Sequence, residues 1–289
     1  MNSPRWLVTG AGGMLGRDLV SLLERRGAAV TAVTRGDLDI TDRPAVLGAV
    51  RDARPDIVVN CAAWTAVDLA ESREAEALAV NGGGAENVAA ACAAAGARMI
   101  QLSTDYVFDG TARVPYPEDA APAPATAYGR TKLAGEQAVT ALLPGRSWIL
   151  RTAWLYGAHG GNFVATMVRL AAGADGVTVV DDQHGQPTST VTVAGLILAL
   201  VGADAPAGVY HATCSGQTTW FGLAREIFGL LGADPGRVTP IPSSQLTRPA
   251  PRPGYSVLAH GAWAQAGLPP PEDWRAALHR DFPAFAPAG

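Results

Sequence analysis

The chain has 289 residues, of which 48% are hydrophobic and 17% charged, so it can bury a large core. Its formal net charge of −4 gives no electrostatic basis for binding nucleic acid or an acidic membrane surface. No apolar run is long enough to span a bilayer, and the first residues read as the start of a strand, without a secretory leader. We therefore expect a cytoplasmic protein. Three distant cysteines and five histidines show no ligand spacing, so we expect reduced thiols and no metal site.

The first half of the chain alternates short apolar runs with helical patterns. The apolar runs predict strands at residues 5–9, 29–34, 56–61, 98–103 and 147–152. Helical spacing predicts helices at residues 14–26, 44–53, 72–95 and 126–142, with a possible interruption of the third at the glycines 82–84. Strands that alternate with helices indicate an α/β protein with a doubly wound parallel sheet of the Rossmann type.

The second half of the chain is less regular. Its patterns predict helices at residues 162–172, 191–201, 219–231 and 272–280, and short strands at 177–180 and 208–211. A proline-rich stretch at 240–253 precedes apolar residues and is expected to form a packed loop. We therefore predict a dinucleotide-binding domain over residues 1–150 and a smaller α/β region over 151–289 that mainly binds substrate. Segments of that second region are expected to return to the sheet.

A glycine-rich turn joins the first predicted strand to the first predicted helix. Gly10 permits the tight turn, Gly13 lets backbone amides approach a pyrophosphate, and Gly16 allows the helix to pack closely on the strand. The helix amino terminus supplies N–H groups for the phosphates. The alternative is a glycine turn without a ligand. Because strand, turn and helix follow in the required order, we predict that this segment binds a dinucleotide.

The end of the second predicted strand indicates which dinucleotide is bound. An acidic residue there would accept the 2′-hydroxyl of NAD, but this chain has Arg35 at that point, suited to a 2′-phosphate. We therefore expect NADPH, with NADH as an alternative. A solvated surface arginine is the competing interpretation, because Asp37 and Asp39 follow closely.

A tyrosine and a lysine four residues apart form the candidate catalytic pair. Tyr128 and Lys132 lie on one face of a predicted helix, and an ammonium group beside a phenol stabilises the phenolate. Thr104 ends a predicted strand, where its hydroxyl can face the same crevice, although a hydroxyl that satisfies local backbone is the alternative. Reduction of a carbonyl to an alcohol requires a hydride donor and a proton donor close together, and this pair would supply the proton beside the bound dinucleotide.

These motifs together resemble the extended short-chain dehydrogenase/reductase superfamily. Within it, the chain resembles the dTDP-4-dehydrorhamnose reductases, and the most discriminating block is Ser-Thr-Asp-Tyr-Val-Phe-Asp-Gly at residues 103–110. Further blocks of similarity lie at residues 60–68, 128–136, 151–157, 161–163, 182–188 and 252–258. The resemblance therefore covers the chain from its amino terminus to about residue 258.

The resemblance implies a role for individual residues. Tyr128 would be the general acid, Lys132 would hold the nicotinamide ribose and lower the pKa of Tyr128, and Thr104 would bind the reacting carbonyl oxygen. The remaining expected cofactor contacts are Gly10, Gly12, Gly13, Met14, Leu15, Arg35, Asp39, Ile40, Ala62, Ala63 and Trp64. The remaining expected substrate contacts are Asp105, Tyr106, Trp154, Asn162, Gln186 and Arg252. The alternative interpretation of Trp154 is an aromatic side chain of the hydrophobic core that does not contact the substrate.

The implied activity is reduction of the C4 keto group of a dTDP-4-keto-6-deoxyhexose by NADPH. Some relatives dimerise through magnesium, but residues 187–192 carry no carboxylate, so we expect no metal and a monomer or weak homodimer. Residues 124–127 also depart from the usual pattern before Tyr128, which leaves the sugar open. The alternatives are a nucleotide-sugar epimerase or dehydratase, and a non-catalytic regulatory subunit that binds NADP.

Overall fold

The computed structural model describes residues 3–285, and the outer ends of both expected domains lie outside this range. In chain order the strands are β1 (Trp6–Thr9), β2 (Val30–Val33), β3 (Ile57–Asn60), β4 (Arg98–Thr104), β5 (Ser147–Thr152), β6 (Leu155–Tyr156), β7 (Val177–Val180), β8 (His184–Gly185), β9 (Thr188–Ser189), β10 (Gly208–His211), β11 (Thr218–Thr219) and β12 (Val238–Ile241). The α-helices are α1 (Met14–Arg25), α2 (Arg43–Ala53), α3 (Val67–Ala70), α4 (Glu74–Leu78), α5 (Ala85–Ala95), α6 (Ala127–Leu142), α7 (Phe163–Ala171), α8 (Thr190–Gly202), α9 (Trp220–Leu230), α10 (Gly261–Gln265) and α11 (Trp274–Asp281).

A six-stranded sheet forms the centre of the molecule, in the order β10-β5-β4-β3-β1-β2. All of its neighbouring strands pair in parallel. The predicted α/β fold with a doubly wound parallel sheet is therefore confirmed. Chain order reverses between β1 and β3, and ligands of such sheets bind in the crevice at the carboxyl ends of the strands flanking this reversal.

Helices cover both faces of the sheet because its central strands are apolar on both sides. On one face, α1 and α8 pack with Trp263 of α10 against residues such as Val8 and Leu150. On the other face, α2, α5 and α6 pack against Leu7, Val58 and Ile149. Successive residues of one strand, Leu7 and Val8, thus enter two different cores, as the two-residue period of a strand requires.

The alanine-rich segment predicted at 72–95 is not one continuous α-helix. Between α4 and α5 the chain forms a π-helical turn over Ala79–Gly84. This segment lies against α6 so closely that a Cβ on Gly135 would overlap the carbonyl oxygen of Asn81. A β-carbon on Gly84 would lie 2.5 Å from Cδ1 of Ile40. Small residues therefore allow the turn, and it places Asn81 beneath the crevice.

A third core lies outside the sheet. It joins α7, α9 and α11 with the short strands β7 and β12, and its buried residues include Phe228 and Trp274. The proline-rich stretch predicted as a packed loop begins inside β12, the strand that contains Pro240, and buried Val257 and Leu258 follow it. No helix among residues 3–285 is long and apolar enough to cross a membrane.

The chain returns to the sheet after entering this third core. Strand β10 pairs with β5, and α8 packs in the same core as α1. Residue 150 lies inside β5, so a division of the chain there would cut a buried strand. We propose a division by core, in which β5, α8, β10 and α10 belong with the sheet and the third core forms the second region.

Candidate functional site

A cavity of about 880 Å³ runs along the carboxyl ends of β1, β3 and β4. The structure brings together on its walls most of the residues singled out from the sequence, which are Gly10, Gly12, Gly13, Met14, Leu15, Arg35, Asp39, Ile40, Ala62, Ala63, Trp64, Thr104, Asp105, Tyr106, Tyr128, Lys132 and Trp154. Its position at the reversal of strand order is where a doubly wound sheet binds its ligand.

The glycine turn forms one end of this cavity, and two of its glycines lie too close to neighbouring backbone atoms to carry side chains. Gly10 has a φ of +65°, and a Cβ there would lie 2.5 Å from the amide nitrogen of Ala62. A Cβ on Gly16 would overlap the carbonyl oxygen of Gly10. Gly13 caps α1 without a side-chain hydrogen bond, and the first turn of α1 contains no acidic residue. Its N–H groups are thus suited to an anionic ligand such as a pyrophosphate.

The carboxylates near Arg35 are held by neighbouring threonines. Asp37 accepts hydrogen bonds from the backbone and hydroxyl of Thr34, at 2.9 and 2.7 Å. Asp39 accepts from the backbone and hydroxyl of Thr41, at 2.9 and 2.8 Å, and these bonds, together with the charge of Arg35, lower its pKa. Arg35 is exposed at the rim of the cavity. This arrangement leaves a cationic group available for a phosphate.

Helix α6 presents the candidate catalytic pair to the middle of the cavity. Thr126 caps this helix by accepting a hydrogen bond from the amide of Gly129 at 3.0 Å, which starts the helix directly before Tyr128. One turn later, Nζ of buried Lys132 donates to the carbonyl oxygen of Leu102 at 2.5 Å. Both side chains line the same cavity.

The pKa of Tyr128 is raised in the structure, whereas the resemblance implied that Lys132 would lower it. Burial raises it, the charge of Asp105 raises it further, and only the Thr104 hydroxyl opposes them. Lys132 is itself buried, which lowers its pKa to about 8, while the charge of Glu136 opposes this shift. Desolvation of the phenol therefore outweighs stabilisation of the phenolate, and Tyr128 is a protonated donor at neutral pH.

Asp105 is a buried carboxyl group beside the pair. Its Oδ1 accepts a hydrogen bond from the Thr104 hydroxyl at 2.9 Å. Burial raises the pKa of Asp105 to about 6, although the hydroxyls of Ser256 and Thr104 lower it. The Thr104 hydroxyl also accepts from the amide of Tyr106 at 3.2 Å. Thr104 and Asp105 thus form a polar unit that faces the phenol.

Replacing Asp105 by asparagine is expected to change how stability depends on pH. Burial raises the pKa of this carboxyl to about 6 in the folded protein, above the ordinary value of 3.8 that it has in the unfolded chain, so the folded protein takes up its proton first as the pH falls. Its contribution to the free energy of unfolding therefore increases from pH 7 towards pH 4. Urea unfolding at several pH values should show wild type gaining stability relative to Asp105→Asn as the pH falls. An equal difference at every pH would contradict this assignment.

A second cavity of about 730 Å³ adjoins the first. Tyr106 and Trp154 line both, so these two side chains stand at the junction. Arg248 and Arg252 line the second cavity. The guanidinium of Arg252 forms a two-bond ion pair with Asp68, at 2.8 Å for each bond, and is thereby held on the cavity wall.

Asn162 and Gln186, which the resemblance assigned to the substrate, are engaged within the protein. Asn162 caps α7, accepting from Ala165 at 3.0 Å and donating to the Gly157 carbonyl at 2.8 Å. Gln186 is buried and exchanges hydrogen bonds with both backbone groups of Leu258, at 2.9 and 3.1 Å. Neither residue lines the two cavities. The structure thus gives them supporting positions because their amide groups satisfy local backbone.

Asn81, Asp68 and Arg248 are residues near the site that the sequence did not single out. Asn81 accepts from the amide of Trp64 at 2.9 Å and donates to the Thr131 hydroxyl at 3.0 Å, so it connects the cofactor cavity to α6. A polar residue beside glycines in an alanine-rich helix was the available signal. Asp68, the partner of Arg252, lies within a block of family similarity but had no assigned role.

Comparisons with known proteins agree with this geometry. Residues 4–285 match the family described as RmlD substrate binding domain. The chain is 61% identical over 286 residues to a dTDP-4-dehydrorhamnose reductase of Streptomyces griseus, covering 98% of this chain and 94% of the relative. It is 57% identical over 279 residues to a dTDP-4-keto-6-deoxy-D-glucose reductase of Streptomyces niveus, covering 96% of each. A crystal structure of dTDP-4-dehydrorhamnose reductase from Bacillus anthracis with NADP superposes with a TM-score of 0.93 at 37% identity, covering 97% of this chain and 99% of that one.

Proposed function

The chain belongs to the RmlD substrate binding domain family, and from this membership we propose that it reduces the C4 keto group of a dTDP-4-keto-6-deoxyhexose. The hydride comes from NADPH. The observation that carries this proposal is the position of Tyr128, a protonated phenol in a dinucleotide-sized cavity that adjoins a second, arginine-lined cavity. The relatives named as reductases of dTDP-linked keto sugars support the substrate class.

The residues of the first cavity fit NADPH. The glycine turn has no room for β-carbons at Gly10 and Gly16, and the start of α1, where no side chain accepts from the backbone, offers its N–H groups to the phosphates. Arg35 suits the 2′-phosphate by charge. Lys132, held by the carbonyl oxygen of Leu102, is the residue to which the resemblance assigns the nicotinamide ribose. When bound, NADPH supplies the hydride for the C4 carbon of the sugar.

Proton transfer is the task of the protein's own side chains. The Tyr128 hydroxyl donates its proton to the C4 oxygen as negative charge develops there, so the ketone becomes an alcohol and the tyrosine becomes a phenolate. Buried Lys132 and the Thr104 hydroxyl stabilise that negative charge, because few water molecules compete with them in this site. The raised pKa keeps the proton on Tyr128 until the oxygen can accept it.

We propose the second cavity for the nucleoside diphosphate of the substrate. Arg248 and Arg252 supply positive charge on its wall, and arginine pairs well with phosphate oxygens. With the diphosphate there, the sugar ring lies at the junction between Tyr106 and Trp154, and its C4 group reaches Tyr128. Asp68 then acts by holding Arg252 in place.

The assembly state and location of the protein are also proposals. The absence of carboxylates at residues 187–192 supports a monomer or weak homodimer without a bridging metal. The negative net charge supports a protein that binds neither nucleic acid nor acidic membranes, and we propose that it acts in the cytoplasm.

NADPH oxidation followed by absorbance tests this function directly. Purified protein is mixed with freshly generated dTDP-4-keto-6-deoxy-L-lyxo-hexulose or, separately, with dTDP-4-keto-6-deoxy-D-glucose. We expect turnover with at least one of the two sugars, NADPH to be preferred over NADH, and the product to be the C4 alcohol. NADPH binding without turnover of either sugar would reject the proposed reaction and favour the regulatory alternative.

A further inference from the structure

Trp154 occupies an unusual position between the two cavities. Its backbone φ is +47°, in the left-handed region that side-chain-bearing residues other than asparagine and aspartate seldom adopt. A non-glycine residue persists there only when its surroundings hold it. The indole lines both cavities, so its orientation determines the shape of the junction.

The indole of Trp154 is stacked on that of Trp220. The ring centroids are 3.6 Å apart and the planes differ by 7°. Phe163 packs on Trp220 in turn, with centroids 4.6 Å apart and an angle of 52°. Trp220 is therefore held against rings from two other segments of the chain, and it offers Trp154 a fixed flat surface.

Two backbone features hold this stack in place. Trp220 is the first residue of α9, and Thr219 caps that helix by accepting from Gly222 at 3.0 Å while donating to Asp181 at 2.6 Å. The second feature is Gly185, where a β-carbon would lie 2.6 Å from Cζ2 of Trp154. Residue 185 must therefore be glycine for the indole to keep this position.

We propose that Trp220 is a positioning residue that, together with Gly185, fixes the indole of Trp154 against the sugar ring of the substrate. This inference rests on the proposed function for its consequence, but the stack itself can be observed without substrate. Trp220 also lines the second cavity, but it acts on the sugar ring through Trp154, the indole that contacts that ring. A preset indole avoids the loss of side-chain freedom on binding, and positional errors of about 1 Å can cost on the order of 100-fold in rate.

Circular dichroism measures the stack independently of activity. Two indoles stacked at 3.6 Å couple their electronic transitions, and when their transition dipoles are rotated relative to each other this coupling produces a paired positive and negative band in the far ultraviolet. We expect the couplet in wild type, and its loss in Trp220→Phe, Trp154→Phe and Gly185→Ala. Loss in Gly185→Ala is the critical result, because both indoles remain and only their alignment changes. A couplet that persists in Gly185→Ala or Trp220→Phe would overturn the assignment of the stack.

Steady-state kinetics tests the consequence for catalysis. Trp220→Leu is expected to lower kcat/KM for the dTDP sugar by roughly 10- to 100-fold, with NADPH affinity unchanged. Trp220→Phe, which keeps a flat ring, should retain most of the activity. Phe221→Leu is the matched control, since it removes the neighbouring ring of α9, which contacts Arg225 and lines neither cavity.

The outcomes separate the two proposals. If wild type reduces neither sugar, the proposed reaction fails, and the far-ultraviolet couplet of wild type, with its loss in Gly185→Ala, then tests the positioning role. If wild type is active and Trp220→Leu keeps its kcat/KM within twofold, the positioning role is wrong. Thermal unfolding and NADPH affinity equal to wild type identify a folded variant. If Trp220→Leu does not fold, Trp220→Phe is compared with Gly185→Ala instead. A greater loss of kcat/KM in Gly185→Ala than in Trp220→Phe supports the positioning role. Equal kcat/KM in these two variants overturns it.

Discussion

Replacing Tyr128 by phenylalanine is expected to lower kcat by roughly 10²- to 10⁴-fold, the usual contribution of a positioned general acid. The variant keeps the ring, which packs edge-to-face on Tyr106 with centroids 5.6 Å apart. It therefore removes the proton and leaves the walls of the cavity in place. NADPH affinity should stay within a few fold of wild type, and product formation is followed by NADPH oxidation.

Tyr255→Phe is the matched control for this variant. Its hydroxyl donates to Gln217 at 3.1 Å and lines neither cavity, so its removal should leave kcat near the wild-type value. A Tyr128→Phe variant with more than a tenth of wild-type kcat would show that another group supplies the proton. Protonated Asp105, bonded to Thr104, would then be the next candidate.

The second large effect concerns stability and involves the buried ion pair beneath the site. Arg151 of β5 and Glu136 of α6 join through three hydrogen bonds, at 2.7, 3.0 and 3.3 Å, with side chains only 4% and 6% exposed. Ser103 also donates to Glu136. Glu136→Gln leaves the guanidinium charged and buried without a countercharge, because arginine does not lose its proton in proteins. We expect the free energy of unfolding to fall by roughly 3–5 kcal/mol, measured by urea unfolding.

An exposed pair on the same helix provides the comparison. Arg130 and Glu74 form two hydrogen bonds, each 2.8 Å long, but their side chains are 46% and 42% exposed. Glu74→Gln should cost about 0–1 kcal/mol, because water already solvates both groups. An equal decrease in the free energy of unfolding in the two variants would mean that burial does not determine how much the Glu136 ion pair contributes to stability.

The sheet and its helices could be predicted because local patterns determine them. Alternating apolar runs and helical spacing located β1 to β5 and the helices α1, α2 and α6, mostly to within one or two residues, but they did not predict the short helix α3. The glycine turn was readable because Gly10 and Gly16 meet steric demands that arise within one strand-turn-helix unit. The π-helical turn at Asn81 was only hinted at, since it depends on contact with α6, far along the chain.

The roles of single polar residues were harder to predict. Asn162 and Gln186 belong to segments that resemble the family, but their hydrogen bonds to Gly157 and Leu258 depend on how distant segments pack. The pKa of Tyr128 likewise depends on burial and on Asp105, which the spacing of Tyr128 and Lys132 does not reveal. Sequence pattern thus indicated which chemistry the site offers, while tertiary packing determined how each group is tuned.

The return of β10 to the sheet sets a limit on when the molecule can fold during synthesis. Until Gly208–His211 has left the ribosome, β5 is an open sheet edge, with unpaired backbone groups along Trp148–Arg151. Helix α8, which covers α1, emerges only shortly before it. The nascent chain therefore contains a nearly complete nucleotide-binding sheet that cannot finish folding until its last strand, β10, has been synthesised. We expect this interval to be the period in which the newly made protein depends most on protection from aggregation.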